Sequence, residues 1–314
     1  MKTVVVTGAT GHVGRTVVDE LARTGFDVVA ASRAGALPDP PFGSAAAPGV
    51  RTLALDVSDE AAVALLADAL PGAAAIVHLA GWHPPATAAS TAADRRGLIE
   101  TNALGTQRVL DAARARGDVA VVVYASTFEI YGIPARPGPV SEDDPTQPIT
   151  DYGATKLSGE DHLFAFAAET GVRGVALRLP AVYGPGERVA RALPNFLRRV
   201  AAGERPVIHG DGADRRDQIH TRDAARAVAC ALAAGATGAY NVSDGVPHAI
   251  IDLAQTAMTV AGMAGAPDRR PAEKPRLDFH MRIDKARREL GFTPAVSLAD
   301  GMAEQLAWLR STSA

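Results

Sequence analysis

Thr3-Val4-Val5-Val6-Thr7-Gly8-Ala9-Thr10-Gly11-His12-Val13-Gly14 opens the chain and decides its fold. An apolar run without alternation reads as a strand buried on both faces. Gly8, Gly11 and Gly14 then stand between that strand and a helix, the context that turns a glycine pattern into a phosphate site. Glycine permits the tight turn and close backbone approach, and the helix N-terminus offers oriented N–H groups to a pyrophosphate. Thr10, His12 and Val13 lie in the same turn and are cofactor-binding candidates with the three glycines. The glycine spacing is three-and-three, not the two-and-three of many dehydrogenases.

Outward from this stretch, strand-like and helical segments alternate. Strands are predicted at 4–7, 27–31, 52–55, 75–79, 119–125 and 174–179, and helices at 15–23, 60–70, 97–116 and 152–169. Strict β–α alternation with continuous Val/Ala/Leu strands predicts an α/β fold, a doubly wound parallel sheet of the Rossmann type. After Leu179 the rhythm changes, with Pro180, Gly184-Pro185-Gly186, Pro194, Pro206, Gly210 and Gly212 punctuating shorter segments. Residues 1–179 are therefore expected to form the dinucleotide-binding domain and 180–314 mainly a smaller C-terminal substrate lobe. Segments near 219–243, a helix at 223–234 and a strand at 239–242, should return to the sheet. Residues 34–50, rich in Ala, Pro and Gly, are expected to form a mobile loop.

The 314 residues carry a net charge of −3 and no basic block, which argues against nucleic acid as a partner. The single cysteine, Cys230, lies in an alanine-rich run and excludes an internal disulfide; it reads as a buried apolar group. No apolar run reaches a membrane-spanning length, and the first residues lack the pattern of a targeting segment. A soluble, cytoplasmic protein acting on a small-molecule substrate, with no membrane partner, is expected. No His/Cys/Asp spacing suggests a metal site.

Asp151-Tyr152-Gly153-Ala154-Thr155-Lys156 carries the chemistry. Four residues make about one helical turn, so both side chains leave one face with a rise of roughly 6 Å. A free phenol has a pKa of about 10, too high for a good base at neutral pH. A lysine cation ~5 Å away, at an effective dielectric of ~20, would favour the phenolate by about 3 kcal/mol. At the end of the second strand an acid would accept from the ribose 2′-OH of NAD, whereas an arginine accommodates the 2′-phosphate of NADP. The chain offers Ser32-Arg33 and no acid, so NADP(H) is expected, with NAD as the alternative.

Further stretches follow in order: Asp56-Val57, His78-Leu79-Ala80-Gly81, Asn102-Ala103-Leu104-Gly105-Thr106, and Ser126-Thr127-Phe128-Glu129-Ile130-Tyr131-Gly132. Later come Arg178, Tyr183-Gly184-Pro185, Gly210-Asp211-Gly212 and Arg216-Asp217 before Ile219-His220. With these the chain resembles the extended short-chain dehydrogenase/reductase family, in its epimerase/dehydratase branch, over nearly its whole length. The resemblance implies that Asp56 and Val57 flank the adenine and that Leu79, Ala80 and Gly81 line the cofactor. Asn102 would join the cofactor residues from the long helix. Thr127 would hydrogen-bond the reacting oxygen, Tyr152 would be the acid/base, and Lys156 would lower its pKa and hold the nicotinamide ribose. Ser126 lies one place off that register.

Departures narrow the activity. The dehydratase members carry an Asp-Glu pair after the threonine, where this chain has Phe128-Glu129; Phe transfers no proton. The nucleotide-sugar epimerases commonly carry an asparagine where Ala181 stands. Arg216 matches the arginine that clamps a substrate diphosphate, and Asn195 lies where a further polar contact is expected. Trp82-His83-Pro84-Pro85 follows the cofactor-lining strand, placing Trp82 over the substrate; Glu129 completes the substrate candidates.

The leading expectation is an NADP(H)-dependent oxidoreductase interconverting a ketone and a secondary alcohol, a nucleotide-sugar 4-ketoreductase. The alternatives are a nucleotide-sugar 4-epimerase, a reductase or dehydrogenase of a non-sugar carbonyl compound, and a non-catalytic dinucleotide sensor. The resemblance also implies a homodimer through helices 97–116 and 152–169, whose outer faces are expected to carry the small residues Ala112, Ala113, Ala165 and Ala168.

Overall fold

The structure is a computed structural model that describes residues 2–37, 50–63, 72–84, 90–134, 138–272 and 278–312. Strand β1 (Thr3–Thr7) is buried along its whole length, as its unbroken valine run requires. Helix α1 (His12–Arg23) buries Gly14, Val17, Val18 and Leu21, the i, i+3, i+4, i+7 spacing of an amphipathic helix. Strands β2 (Asp27–Ser32), β3 (Val50–Ala54) and β4 (Ala73–His78) follow. The helix expected at 60–70 shows its first turn at 60–63; its remainder, residues 38–49 of the expected loop, and Pro85 lie outside the described residues.

Helix α2 (Ala92–Leu98) runs through a π-helical turn at Ile99–Leu104 into α3 (Gly105–Arg116). The helix expected from Gly97 therefore starts earlier, at a capping box: Thr91 Oγ1 accepts from the Asp94 N–H, and the Asp94 carboxylate from the Thr91 N–H. Strand β5 (Val121–Thr127), helix α4 (Asp151–Thr170) and strand β6 (Arg173–Leu179) complete the first half. Thr150 caps α4, its Oγ1 accepting from the Gly153 N–H at 2.9 Å. Ala112 and Ala113 turn into the core rather than outward. They share the face of Val109 and Leu110, which sets the phase of α3; only Ala165 and Ala168 are exposed.

Beyond β6 come β7 (Ala181–Tyr183), α5 (Ala192–Ala201), β8 (Val207–His209), β9 (Arg215–Arg216), β10 (Gln218–His220), α6 (Thr221–Ala233) and β11 (Gly238–Asn241). Helices α7 (Ile250–Val260) and α8 (Leu298–Thr312) close the chain. The main sheet has seven strands in the order β11-β6-β5-β4-β1-β2-β3, all parallel. β11 pairs with β6, and α6 packs beside α1 under the sheet.

One face of the sheet is covered by a core containing Val17, Leu21, Ala224 and Val228, and the other by one containing Val109, Leu163 and Phe166. Cys230 is only partly buried and packs at the edge of the first of these. A separate core of Leu193, Phe196, Leu197, Leu253, Met258, Met302 and Leu306 holds α5, α7 and α8 together. The strand order reverses between β1 and β4, which opens the crevice where doubly wound sheets bind ligands. Among the described residues no helix is long and apolar enough to cross a membrane.

Candidate active site

The glycine turn is built for close approach. Gly8 sits at φ +68°, and a Cβ there would lie 2.6 Å from the Ala80 nitrogen; at Gly14 it would lie 2.1 Å from the Gly8 carbonyl oxygen. Gly11 caps α1 without a side-chain hydrogen bond, so its cap leaves the helix's first N–H groups unoccupied. Over this turn opens a cleft of about 430 Å³ lined by Thr10, Gly11, His12, Val13, Leu79, Gly81 and Trp82, reaching Ser126, Thr127, Tyr152 and Lys156 at its far end. Gly8, Gly14 and Ala80 support the turn from beneath; the Ala80 N–H donates to Thr7 Oγ1 at 3.2 Å. A backbone cradle that one added methyl would fill fits the pyrophosphate of a dinucleotide.

At the expected adenosine end, Ser32 is buried with no hydrogen-bond partner for its Oγ among the described residues, and Arg33 is exposed. The Asp56 carboxyl accepts from Ser58 Oγ at 2.7 Å and the Ser58 N–H at 2.9 Å. These bonds hold it below the usual carboxylate range, with Arg33 adding a smaller pull. Val57 packs into the notch left by Gly105, where a Cβ would lie 2.9 Å from Val57 Cγ2.

Asn102, fully buried in the π-helical turn, does not line the cleft. Its Oδ1 accepts from the Trp82 N–H at 2.7 Å, and its Nδ2 donates to the Trp82 carbonyl at 2.9 Å and to Thr155 Oγ1 at 3.2 Å. With both amide N–H groups used, Asn102 holds the loop after β4 to α4.

Tyr152 and Lys156 sit one turn apart on α4, and both line the cleft. Lys156 is buried with Nζ 4.0 Å from the Tyr124 ring centroid. Burial pushes its amine down to about 7, against the pull of Glu160. Burial likewise pushes the Tyr152 phenol up to about 12; Glu129 adds to this and Arg191 opposes it. The expected lowering of Tyr152 by Lys156 is thus not what the structure shows. Desolvation outweighs charge attraction for both groups, and the cation acting on the phenol is Arg191. Thr127 Oγ1 accepts from the Glu129 N–H at 3.3 Å. Ser126 Oγ is buried without a hydrogen-bond partner among the described residues.

A buried network fixes the back of this site. Arg178 on β6 pairs with Glu160 of α4 at 2.8 Å and donates to the Tyr131 hydroxyl at 2.7 Å. That hydroxyl donates to Asn241 Oδ1 of β11, also at 2.7 Å. His78 is equally fixed, with Nδ1 2.7 Å from Thr7 Oγ1 and Nε2 3.0 Å from Thr106 Oγ1.

A second cavity, about 670 Å³, adjoins the cleft and shares His83, Pro180 and Arg191 with it. Glu129, Asn195 and Arg216 line it above an apolar floor of Pro194, Phe196, Ile208 and Phe279. Glu129 accepts from Thr150 Oγ1 at 3.0 Å and pairs with Arg191 at 3.6 Å. Asn195 Oδ1 accepts from Arg198 at 2.8 Å. Arg216 donates from Nη1 to the Arg215 carbonyl at 2.8 Å and lies 3.7 Å from Asp214.

Trp82 does not reach this cavity. It lines the first cleft, with its ring close to Gly97, and the next residue, His83, lines both cavities. The expectation that Trp82 overhangs the second cavity is not met: Asn102 tethers its backbone, and His83 is the residue of this stretch that lines that cavity. His83 stood in the quoted stretch, whereas nothing in the sequence marked Arg191.

The whole arrangement has known counterparts. The family model described as the NAD dependent epimerase/dehydratase family matches residues 4–243. The UDP-glucose 4-epimerase of Mycolicibacterium smegmatis is 33% identical over 323 residues, covering 98% of each chain. The dTDP-glucose 4,6-dehydratase of Streptomyces niveus is 33% identical over 255 residues, covering 80% of this chain and 74% of that one. Among solved structures, the UDP-glucose 4-epimerase of Thermotoga maritima with UDP-glucose has a TM-score of 0.85 at 26% identity, covering 99% of this chain and 100% of that one. MoeE5 in complex with UDP-glucose and NAD has a TM-score of 0.83 at 30% identity, with the same coverage. The likeness spans both the sheet and the helices that close the second cavity, and it makes this chain an enzyme of the NAD dependent epimerase/dehydratase family, within the extended short-chain dehydrogenases/reductases.

Proposed function

We propose that the protein is a nucleotide-sugar 4-epimerase, which oxidises a ring hydroxyl transiently and restores it with the opposite configuration. The observation that carries this reading is the junction of the two cavities. Tyr152 and Thr127 face one side of it, and Arg216 and Asn195 line the other. A sugar placed at the junction meets the phenol, while its diphosphate extends toward Arg216, whose guanidinium fork suits phosphate oxygens. A bound NAD supplies the hydride acceptor and donor.

In this reading the glycine turn, with Thr10, His12 and Val13, holds the pyrophosphate. Asp56 and Val57 serve the adenosine, and Leu79 and Gly81 serve the nicotinamide half. Tyr152 takes the hydroxyl proton and returns it after the configuration changes. Thr127 hydrogen-bonds the same oxygen, Lys156 holds the nicotinamide ribose, and Arg191 is the cation that favours the phenolate. Water elimination lacks its acid, because Phe128 packs against Phe279 with centroids 5.1 Å apart and carries no transferable proton.

A second reading, an NADPH-dependent 4-ketoreductase, is favoured by Ser32 and Arg33. The unpartnered Ser32 hydroxyl and the guanidinium beside it suit a 2′-phosphate. One experiment separates the two: incubate the purified protein with UDP-glucose, UDP-galactose or dTDP-glucose and analyse sugars and cofactor. The epimerase interconverts the C4 epimers with no net cofactor consumption and retains its dinucleotide on purification. Stoichiometric NADPH oxidation by a 4-keto sugar supports the ketoreductase. Failure to convert any of these sugars, with no competitive inhibition by UDP or dTDP, would reject both and leave a non-sugar carbonyl compound as substrate.

A homodimer through α3 and α4 belongs to the same proposal, supported by exposed Ile99, Ala165 and Ala168. A monomeric mass by light scattering at micromolar concentration would remove it.

A further inference from the structure

His83 occupies the joint between the two cavities and lines both. Its ring leans on that of Tyr152, with centroids 4.6 Å apart and planes inclined by 57°. Nδ1 lies 2.7 Å from the Pro84 carbonyl oxygen. A carbonyl only accepts, so the proton in that bond belongs to Nδ1 and the tautomer is fixed. In the neutral ring, Nε2 is then an acceptor without a proton.

The segment bearing His83 is also anchored. Asn102 grips both the N–H and the carbonyl of Trp82 and bonds to Thr155, which lies on the helix carrying Tyr152. The imidazole and the phenol are therefore held against each other by one buried amide, and neither rides on an unsupported loop. An acceptor fixed beside the acid/base, at the boundary of cofactor cleft and substrate cavity, is placed to read the substrate ring.

We propose that His83 is a substrate-contacting residue whose Nε2 accepts a hydrogen bond from a sugar hydroxyl adjacent to the one Tyr152 deprotonates, so that it orients the ring at the cavity joint. The inference rests on the nucleotide-sugar reading above. It gives the site a preference for a ring with two neighbouring hydroxyls, one for Tyr152 and one for His83. A sugar lacking the second hydroxyl leaves that acceptor unpaired beneath the bound ring, which costs more than the loss of the contact itself.

The test compares three variants on the nucleotide sugar that the wild type converts, with melting temperature and bound-cofactor content as controls. His83→Phe keeps the ring packing and removes the acceptor. His83→Asn keeps a donor for Pro84 but ends short of the Nε2 position. His83→Gln places an amide oxygen near that position. The Phe and Asn variants should remain folded and cofactor-loaded while kcat/KM falls about 10- to 100-fold, the size of one lost substrate hydrogen bond with its partner left unpaired. His83→Gln should recover most of the loss. Wild-type kcat and KM in His83→Phe would overturn the inference and leave His83 as a wall of the cleft. Equal losses in the Phe and Gln variants would overturn it too, because the acceptor would then not be what matters. A wild type that converts no nucleotide sugar would overturn the functional reading and this inference with it; a fully active His83→Phe overturns the inference alone.

Discussion

The two cavities that meet at His83, Pro180 and Arg191 are built from different materials. The cofactor cleft rests on backbone: a glycine turn too tight for a Cβ, and strand ends in a seven-stranded sheet. The second cavity rests on side chains gathered from residue 83 to residue 279 over an apolar floor. Backbone sites tolerate little change, since every substitution that fills the cradle displaces the ligand, while side-chain sites can be retuned one residue at a time. Tyr152 stands at the seam between the two, in the first cavity and against the ring of His83.

The largest expected effect tests the seam. Tyr152→Phe should lower turnover by about 10²-fold or more, the range for a lost acid/base, while cofactor content stays near wild type. A variant that keeps near-normal rates would show that the phenol moves no proton and would favour a sensor over an enzyme mechanism. On the cofactor side, Arg33→Ala should weaken NADPH binding by about 10- to 100-fold and leave NADH binding nearly unchanged. Equal, small effects on both cofactors would assign Arg33 to the solvent.

A smaller change is expected on the substrate side. Arg216→Lys should raise KM by roughly tenfold or less with kcat kept, the sign of lost uniform binding. A fall in kcat at unchanged KM would place Arg216 in the chemistry instead.

A further expected effect concerns stability. Burial holds the Lys156 amine at about 7 in the folded protein, against about 10.4 in an unfolded chain. Between these values the unfolded state binds more protons, so stability rises with pH. The penalty of the buried cation is complete below pH ~7 and gone above pH ~10. Lys156→Met should therefore raise the melting temperature of the cofactor-free protein at pH 6 while abolishing most activity, and the gain should vanish at pH 10. A destabilised variant at pH 6 would mean that the contact with the Tyr124 ring outweighs desolvation.

The same contrast explains what could be read in advance. Unbroken Val4-Val5-Val6 and Val121-Val122-Val123 announce buried parallel strands, and the glycines announce the turn, because each signal is local. The Tyr152–Lys156 spacing is equally local. The charge state of that pair was not legible, since it depends on burial by distant segments and on Glu129 and Arg191 arriving from elsewhere in the chain. His83 over Trp82 is decided by the grip of Asn102, 20 positions away in sequence. The inward turn of Ala112 and Ala113, by contrast, was available from their spacing to Val109 and Leu110.

The late return of β11 bears on how this protein can be recombined. A fragment ending at Leu179 would contain the glycine turn, Thr127, Tyr152 and Lys156, yet it would leave the outer edge of β6 unpaired and the Tyr131 hydroxyl without Asn241. An exposed strand edge invites pairing with other chains. Graft libraries that exchange the substrate lobe among relatives should therefore cut on both sides of the β10–β11 segment and carry it with the catalytic half, treating residues 218–241 as native to the parent that supplies Tyr152.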